Sequence, residues 1–187
     1  MNNLEEMKIF IIDKSEYKVE MLKRSFEDVP NVIVEQNDLK RFYYENQQMI
    51  DCLVSPANSF GRMTGGYDEV LSEILGWNFQ YKVQDYIKRH YYGEQVVGTS
   101  FIIDTDIDGL KLIHTPSMRY PSRIKDDMVV YYCMRSTLMC ALENGIKNIV
   151  IPVFGGDCGG VDAAWAGTRM REAYDQILNR QGPEWEF

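Results

Sequence analysis

Apolar runs of strand length alternate along the chain with longer stretches in which apolar positions recur every three or four residues. KIFIID (Lys8–Asp13) is a short, continuously apolar run, as a buried strand requires. The segment after it places Val19, Leu22 and Phe26 at helical spacing. Pro30 and Asn31 punctuate, and VIVEQ (Val32–Gln36) supplies a β-branched strand. DCLV, from Asp51, reads as a third strand. Val70, Leu71, Ile74 and Leu75 then form one helical face that stops at Gly76. A second amphipathic helix is expected over Trp77–Tyr92, with Trp77, Phe79, Tyr81, Tyr86, Tyr91 and Tyr92 as a packing face. Two strands follow, Gln95–Ile103 and Leu110–Thr115, joined through the turn-rich DTDIDG. A long helix is expected from about Asp126 to Asn144, ended by Gly145 at the position where a left-handed residue closes a helix. The last strand is read as Ile149–Phe154 and the last helix as Val161 to about Asn179.

Strands alternating with helices predict an α/β domain with a largely buried, mostly parallel sheet. Ligands in such sheets sit outside the carboxyl ends of the strands. Two glycine-rich loops fall at strand ends, Ser55–Asp68 and Gly155–Gly160, so a shared cleft is expected. The second loop packs four glycines, Gly155, Gly156, Gly159 and Gly160, into six residues before a helix. Backbone amides exposed there, together with the helix dipole, suit an anion such as a pyrophosphate. It has neither the G-K-[ST] of a Walker loop nor the spacing of the dinucleotide fingerprint.

The first loop adds positioned side chains. Asn58 can donate and accept, which suits a pair of ribose hydroxyls. Gly65 and Gly66 allow close approach of a phosphate. Asp68 falls in the first turn of the next helix, where two readings stay open. It is either a capping or first-turn carboxylate, stabilising by roughly 0.5–2 kcal/mol, or a general base beside a sugar.

Bulk properties narrow the class. A chain of 187 residues fits one domain, expected over 1–187 with its core at about 7–180. A formal net charge of -8 disfavours a surface that tracks nucleic-acid phosphates. No apolar run approaches membrane-spanning length and no signal peptide is read, so a cytoplasmic protein without a membrane partner is expected. Cys52, Cys133, Cys140 and Cys158 form no C-x-x-C pair and read as free thiols. With His90 and His114 placed far from any cysteine set, no metal and no cofactor are expected.

SPANSFGRMTGGYDEVLSEILG resembles the N-A-A-N…G-G-G-V-D…A-x-G signature of macro domains, with SPAN in place of NAAN. The interval from Asn58 to Asp68 equals that between the family's Asn and its catalytic Asp. PVFGGDCGG is similar to the family's second glycine loop, QNDL (Gln36–Leu39) to its adenine-reading G-D-I element, and LIHT (Leu112–Thr115) to its V-I-H-T strand. The four matches keep the family's order from residue 32 to about 178, and the wording is closest to a prokaryotic and phage branch.

The resemblance implies a three-layer α/β/α sandwich with a mixed, mostly parallel central sheet that binds ADP-ribose or a related nucleotide. It places Asp38 and the Leu39 amide at adenine and Asn58 at the distal ribose. Gly65, Gly66 and Tyr67 would line one side of the pyrophosphate, with Gly155, Gly156, Asp157, Cys158, Gly159 and Gly160 on the other. Asn58 and Asp68 would be the catalytic pair of a hydrolase of ester-linked ADP-ribose, acting on an ADP-ribosylated protein or an O-acyl-ADP-ribose. A non-catalytic reader of the nucleotide and a protein-interaction scaffold are the alternatives.

The chain departs from the pattern in its second loop. Asp157 replaces a glycine, and a carboxylate there repels a diphosphate unless it turns away, for instance to cap the last helix. Gly159 stands where many relatives carry an aromatic over the distal ribose. Cys158 precedes a helix, which favours a thiolate, but no histidine is near in sequence and Asp157 opposes that charge, so a small loop residue is the better reading. In PSMRYPSRIKDD (Pro116–Asp127), Arg119 and Arg123 are read as solvated loop charges in preference to phosphate ligands.

Overall fold

The computed structural model describes residues 3–180, so the single-domain expectation over 1–187 runs beyond the described residues at both ends. After a 3-10 turn at Leu4–Glu6, the strands are β1 (Lys8–Asp13), β2 (Val32–Gln36), β3 (Cys52–Ser55), β4 (Phe101–Asp104), β5 (Lys111–His114) and β6 (Asn148–Ile151). The helices are α1 (Glu16–Ser25), α2 (Leu39–Asn46), α3 (Tyr67–Leu75), α4 (Phe79–His90), α5 (Met128–Glu143) and α6 (Ala163–Asn179). One six-stranded sheet runs in the order β2-β1-β6-β3-β5-β4. β4 is antiparallel to β5, and the other pairs are parallel. This is the expected mixed, mostly parallel sheet of an α/β/α sandwich.

Alternation along each inner strand divides the apolar side chains between two cores. Ile9 and Ile11, Cys52 and Val54, Ile149 and Ile151 face the layer of α1, α5 and α6. Phe10 and Ile12, Leu53, Val150 and Leu112 face the layer of α2, α3 and α4. Strands buried on both sides read as unbroken apolar runs, which is why β1, β3 and β6 lack polar alternation.

Several boundaries differ from the sequence reading. Gln95–Ser100 is not strand: Gly98 takes φ +79° and its amide bonds the Pro116 carbonyl. Gln95 turns inward, with its side chain on the Thr99 and His114 carbonyls. β6 stops at Ile151 because Pro152 has no amide hydrogen for the ladder. α4 is shorter than Trp77–Tyr92, and the aromatic face divides. Tyr86 and Tyr91 pack on Phe101 (4.3 and 5.8 Å between centroids), whereas Trp77, Tyr81 and Tyr92 are exposed. Among the described residues, no helix is long and apolar enough to cross a membrane.

Candidate functional site

The chain passes from β1 out to β2 and then returns to β3 on the far side of β6, so the strand order reverses around β6. A cavity of about 420 Å³ opens at this point, within the range of small-molecule sites. Both glycine loops line it. Asn58, Gly65, Gly66, Tyr67 and Asp68 contribute one wall, and Gly155, Asp157, Cys158 and Gly159 the other. Gly156 and Gly160 are not on the wall, and their amides bond the Val153 and Asp157 carbonyls. Asp38 and Leu39 are likewise outside it. Asp38 caps α2 through the Arg41 amide (3.0 Å) and pairs with Lys14 (2.6 Å), while Leu39 is buried in the core. The Lys14 ammonium, and then the Arg41 amide, hold the Asp38 carboxyl below the usual carboxylate range.

The walls are rich in backbone donors. α3 starts from Gly66, which has no side chain to cap it, so the first amides of the helix and the positive end of its dipole are presented at the cavity. The Gly160 and Val161 amides bond carbonyls within the second loop, those of Asp157 and Gly155. The amides of Asp157, Cys158 and Gly159 have no partner among the described residues. The loop needs glycine where it folds on itself. A Cβ on Gly159 would stand 2.7 Å from Ile124 Cδ1 and 2.8 Å from the Gly155 carbonyl oxygen. Gly159→Ala is therefore expected to destabilise the protein by about 1–3 kcal/mol, measured by urea unfolding, because the backbone oxygen cannot step aside.

Asp68 is 7% exposed, in the first turn of α3 but with no capping bond to the helix. Its Oδ1 accepts a hydrogen bond from Ser55 Oγ (2.5 Å), at the end of β3. Burial pushes its pKa up to about 7, against the opposing pull of the serine hydroxyl. A carboxyl so placed can take a proton near neutrality. Asn58, 8% exposed, folds its own loop: Oδ1 accepts the Phe60 and Arg62 amides (3.1 and 3.4 Å), and Nδ2 donates to the Arg62 carbonyl (3.0 Å). The Tyr67 hydroxyl is buried without a partner, and burial, with Asp68, Asp13 and Asp157 nearby, raises its pKa.

Asp157 does not cap the last helix. Asp162 does so through the Ala164 amide (2.9 Å), and Asp157 pairs with Lys18 of α1. Arg119 is exposed, as a solvated loop charge would be, but it is not unpartnered. It forks onto Glu94 and lies 4.7 Å from the Tyr120 ring centroid and 5.5 Å from that of Phe60. Cys158 is exposed, and Cys52 and Cys133 are buried. His114 is fully buried, with Nδ1 at 2.6 Å from Gln95 Oε1, and burial lowers its pKa to about 3. Among the described residues no three metal-ligating side chains cluster.

Sequence reasoning missed Asp13, Arg62 and Ser117 on the cavity wall. Asp13 ends β1, and the rule that ligands sit beyond strand carboxyl ends could have found it. The other two are brought in by loop geometry that no local pattern encodes.

A family model for the macro domain matches residues 54–170, more than half of the chain, and the chain belongs to that family. Solved structures agree on the fold. The macrodomain of Mycobacterium tuberculosis DarG is 20% identical with a TM-score of 0.59, over 69% of this chain and 84% of that one. An Oceanobacillus iheyensis macrodomain with ADP is 18% identical with a TM-score of 0.59, over 71% of each chain. A variant of it with ADPR reaches a TM-score of 0.63 at 14% identity, over 97% of this chain and 84% of that one.

Proposed function

We propose that this macro domain binds ADP-ribose in the cavity between its two glycine loops and hydrolyses ester-linked ADP-ribose. The observation that carries the reading is the convergence of both loops on one cavity. The uncapped start of α3 and three unpartnered amides serve a diphosphate there, beside the buried carboxyl of Asp68. Structures of similar fold with ADP and ADPR support the ligand class.

The distal ribose sits against Asn58, and Asp68 deprotonates or orients the water that attacks the ester. Adenine lies outside the enclosed part of the cavity, against Asp38 and the Leu39 amide. The substrate is an ADP-ribosylated protein carboxylate or an O-acyl-ADP-ribose. The SPANSFG and MTGGYD wording supports a place in the prokaryotic and phage branch.

Calorimetry with ADP-ribose at millimolar concentration is the direct test: saturable heat is expected, and a flat trace would end the proposal. Asp38→Ala is expected to weaken ADP-ribose far more than ribose 5-phosphate, since only the former carries adenine; equal losses would remove Asp38 from the adenine subsite. One observation favours a second reading, a non-catalytic reader. Asn58 spends its acceptor and one donor on its own loop, which leaves a single N–H for a sugar hydroxyl. Binding without release of ADP-ribose from a modified protein would select the reader.

A further inference from the structure

The charged side chains on the cavity wall are Asp13, Asp68, Asp157 and Arg62. Three carboxyl groups against one guanidinium is a poor setting for a diphosphate, because unscreened negative charge near the entering phosphates repels them. The structure also shows how two of these carboxylates are answered. Lys18 of α1 stands behind the wall, its side chain 17% exposed, with Nζ 3.3 Å from Asp13 Oδ2 and in contact with Asp157 Oδ1. Its place is fixed by local structure. Asp13 Oδ1 accepts the Ser15 amide (2.8 Å), and Ser15 caps α1 by accepting the Lys18 amide (3.3 Å). One cation therefore ties the end of β1, the start of α1 and the second glycine loop together. The Tyr67 hydroxyl, buried and unpartnered on the same wall, offers a neutral donor beside this cluster.

We infer that Lys18 is a specificity-determining positioning residue of the phosphate subsite, which makes Asp157 compatible with an anionic ligand by neutralising it and Asp13 from behind. The inference rests on the ADP-ribose reading. A glycine at 157 would need no such partner, and an aspartate without Lys18 would present two carboxylates to the diphosphate. Lys18 and Asp157 thus act as one unit, and their effects on binding are coupled.

The test is a double-mutant cycle on ADP-ribose affinity by calorimetry, with thermal midpoints taken in parallel. Lys18→Met is expected to weaken binding about tenfold, equivalent to about 1.4 kcal/mol. Lys18→Arg, which keeps the charge, is expected to stay within about threefold of wild type. Asp157→Asn alone should bind as wild type or more tightly. The double variant, Lys18→Met with Asp157→Asn, should recover to within about threefold of wild type, a rescue that a merely structural role for Lys18 would not give. Should Lys18→Met bind as wild type, or the double variant stay as weak as Lys18→Met, the inference is overturned while the ADP-ribose reading stands. A wild-type protein that binds no ADP-ribose overturns both.

Discussion

Asp68→Asn is expected to stop release of ester-linked ADP-ribose and, above pH 7, to leave the protein more stable than wild type. A positioned general base contributes roughly 10²–10⁴ in rate, so loss on that scale is expected with ADP-ribose binding retained. The stability gain follows from the same burial. The Asp68 carboxyl titrates at about 7 in the fold against an ordinary value of 3.8, so its folded pKa is raised. The contribution of this group to stability is then fully present below about pH 4, where it is protonated in both states, and is lost as pH rises through about 7. Over about 3 pH units the loss is of order 4 kcal/mol, and an asparagine, which does not titrate, escapes it. Urea unfolding at pH 5 and pH 8 reads the difference, which should be larger at pH 8. Wild-type release should climb between about pH 6 and 8 as the base ionises. Unchanged release by the variant would take Asp68 out of the reaction.

The second large effect is expected at Phe154. This side chain is fully buried in the core under α5 and α6, one residue before Gly155. Truncation to alanine removes a whole ring and leaves a cavity, at about 3–5 kcal/mol. Against a total stability of about 5–15 kcal/mol for a domain, that loss shifts the urea midpoint strongly. Phe154→Leu, which keeps most of the volume, is expected to cost about 1.5 kcal/mol or less. A loss below about 1 kcal/mol for the alanine variant would show that the ring does not anchor the start of the loop.

Element order was legible because the apolar runs of β1, β2, β3 and β6 and the helical faces of α1, α3 and α5 depend on local pattern. Gly76 and Gly145 mark helix ends through positive φ, 92° and 70°, as a local rule anticipates. What the pattern did not reveal depends on distant partners. The Gln95–Ser100 segment is β-rich in composition, yet Gln95 bonds the carbonyl of His114 and the strand pairing begins only at Phe101. α2 is eight residues long, too short for its Leu39, Phe42 and Tyr43 face to stand out. On the cavity wall, Gly65, Gly66, Gly155, Gly159 and Asp68 were readable from spacing. The pairing of Asp157 with Lys18, 139 residues away, was not, because no sequence rule relates the two positions.

The β4–β5 hairpin closes through residues 105–110 at the end of the sheet remote from both glycine loops, since β5 runs parallel to β3 and finishes at the cavity side. Gly109, at φ +75°, shapes that turn, and Asp106 and Asp108 beside it are exposed. A fluorophore or affinity handle grafted at Asp108 would project away from the cavity, giving a place to tether or label the molecule without disturbing its opening.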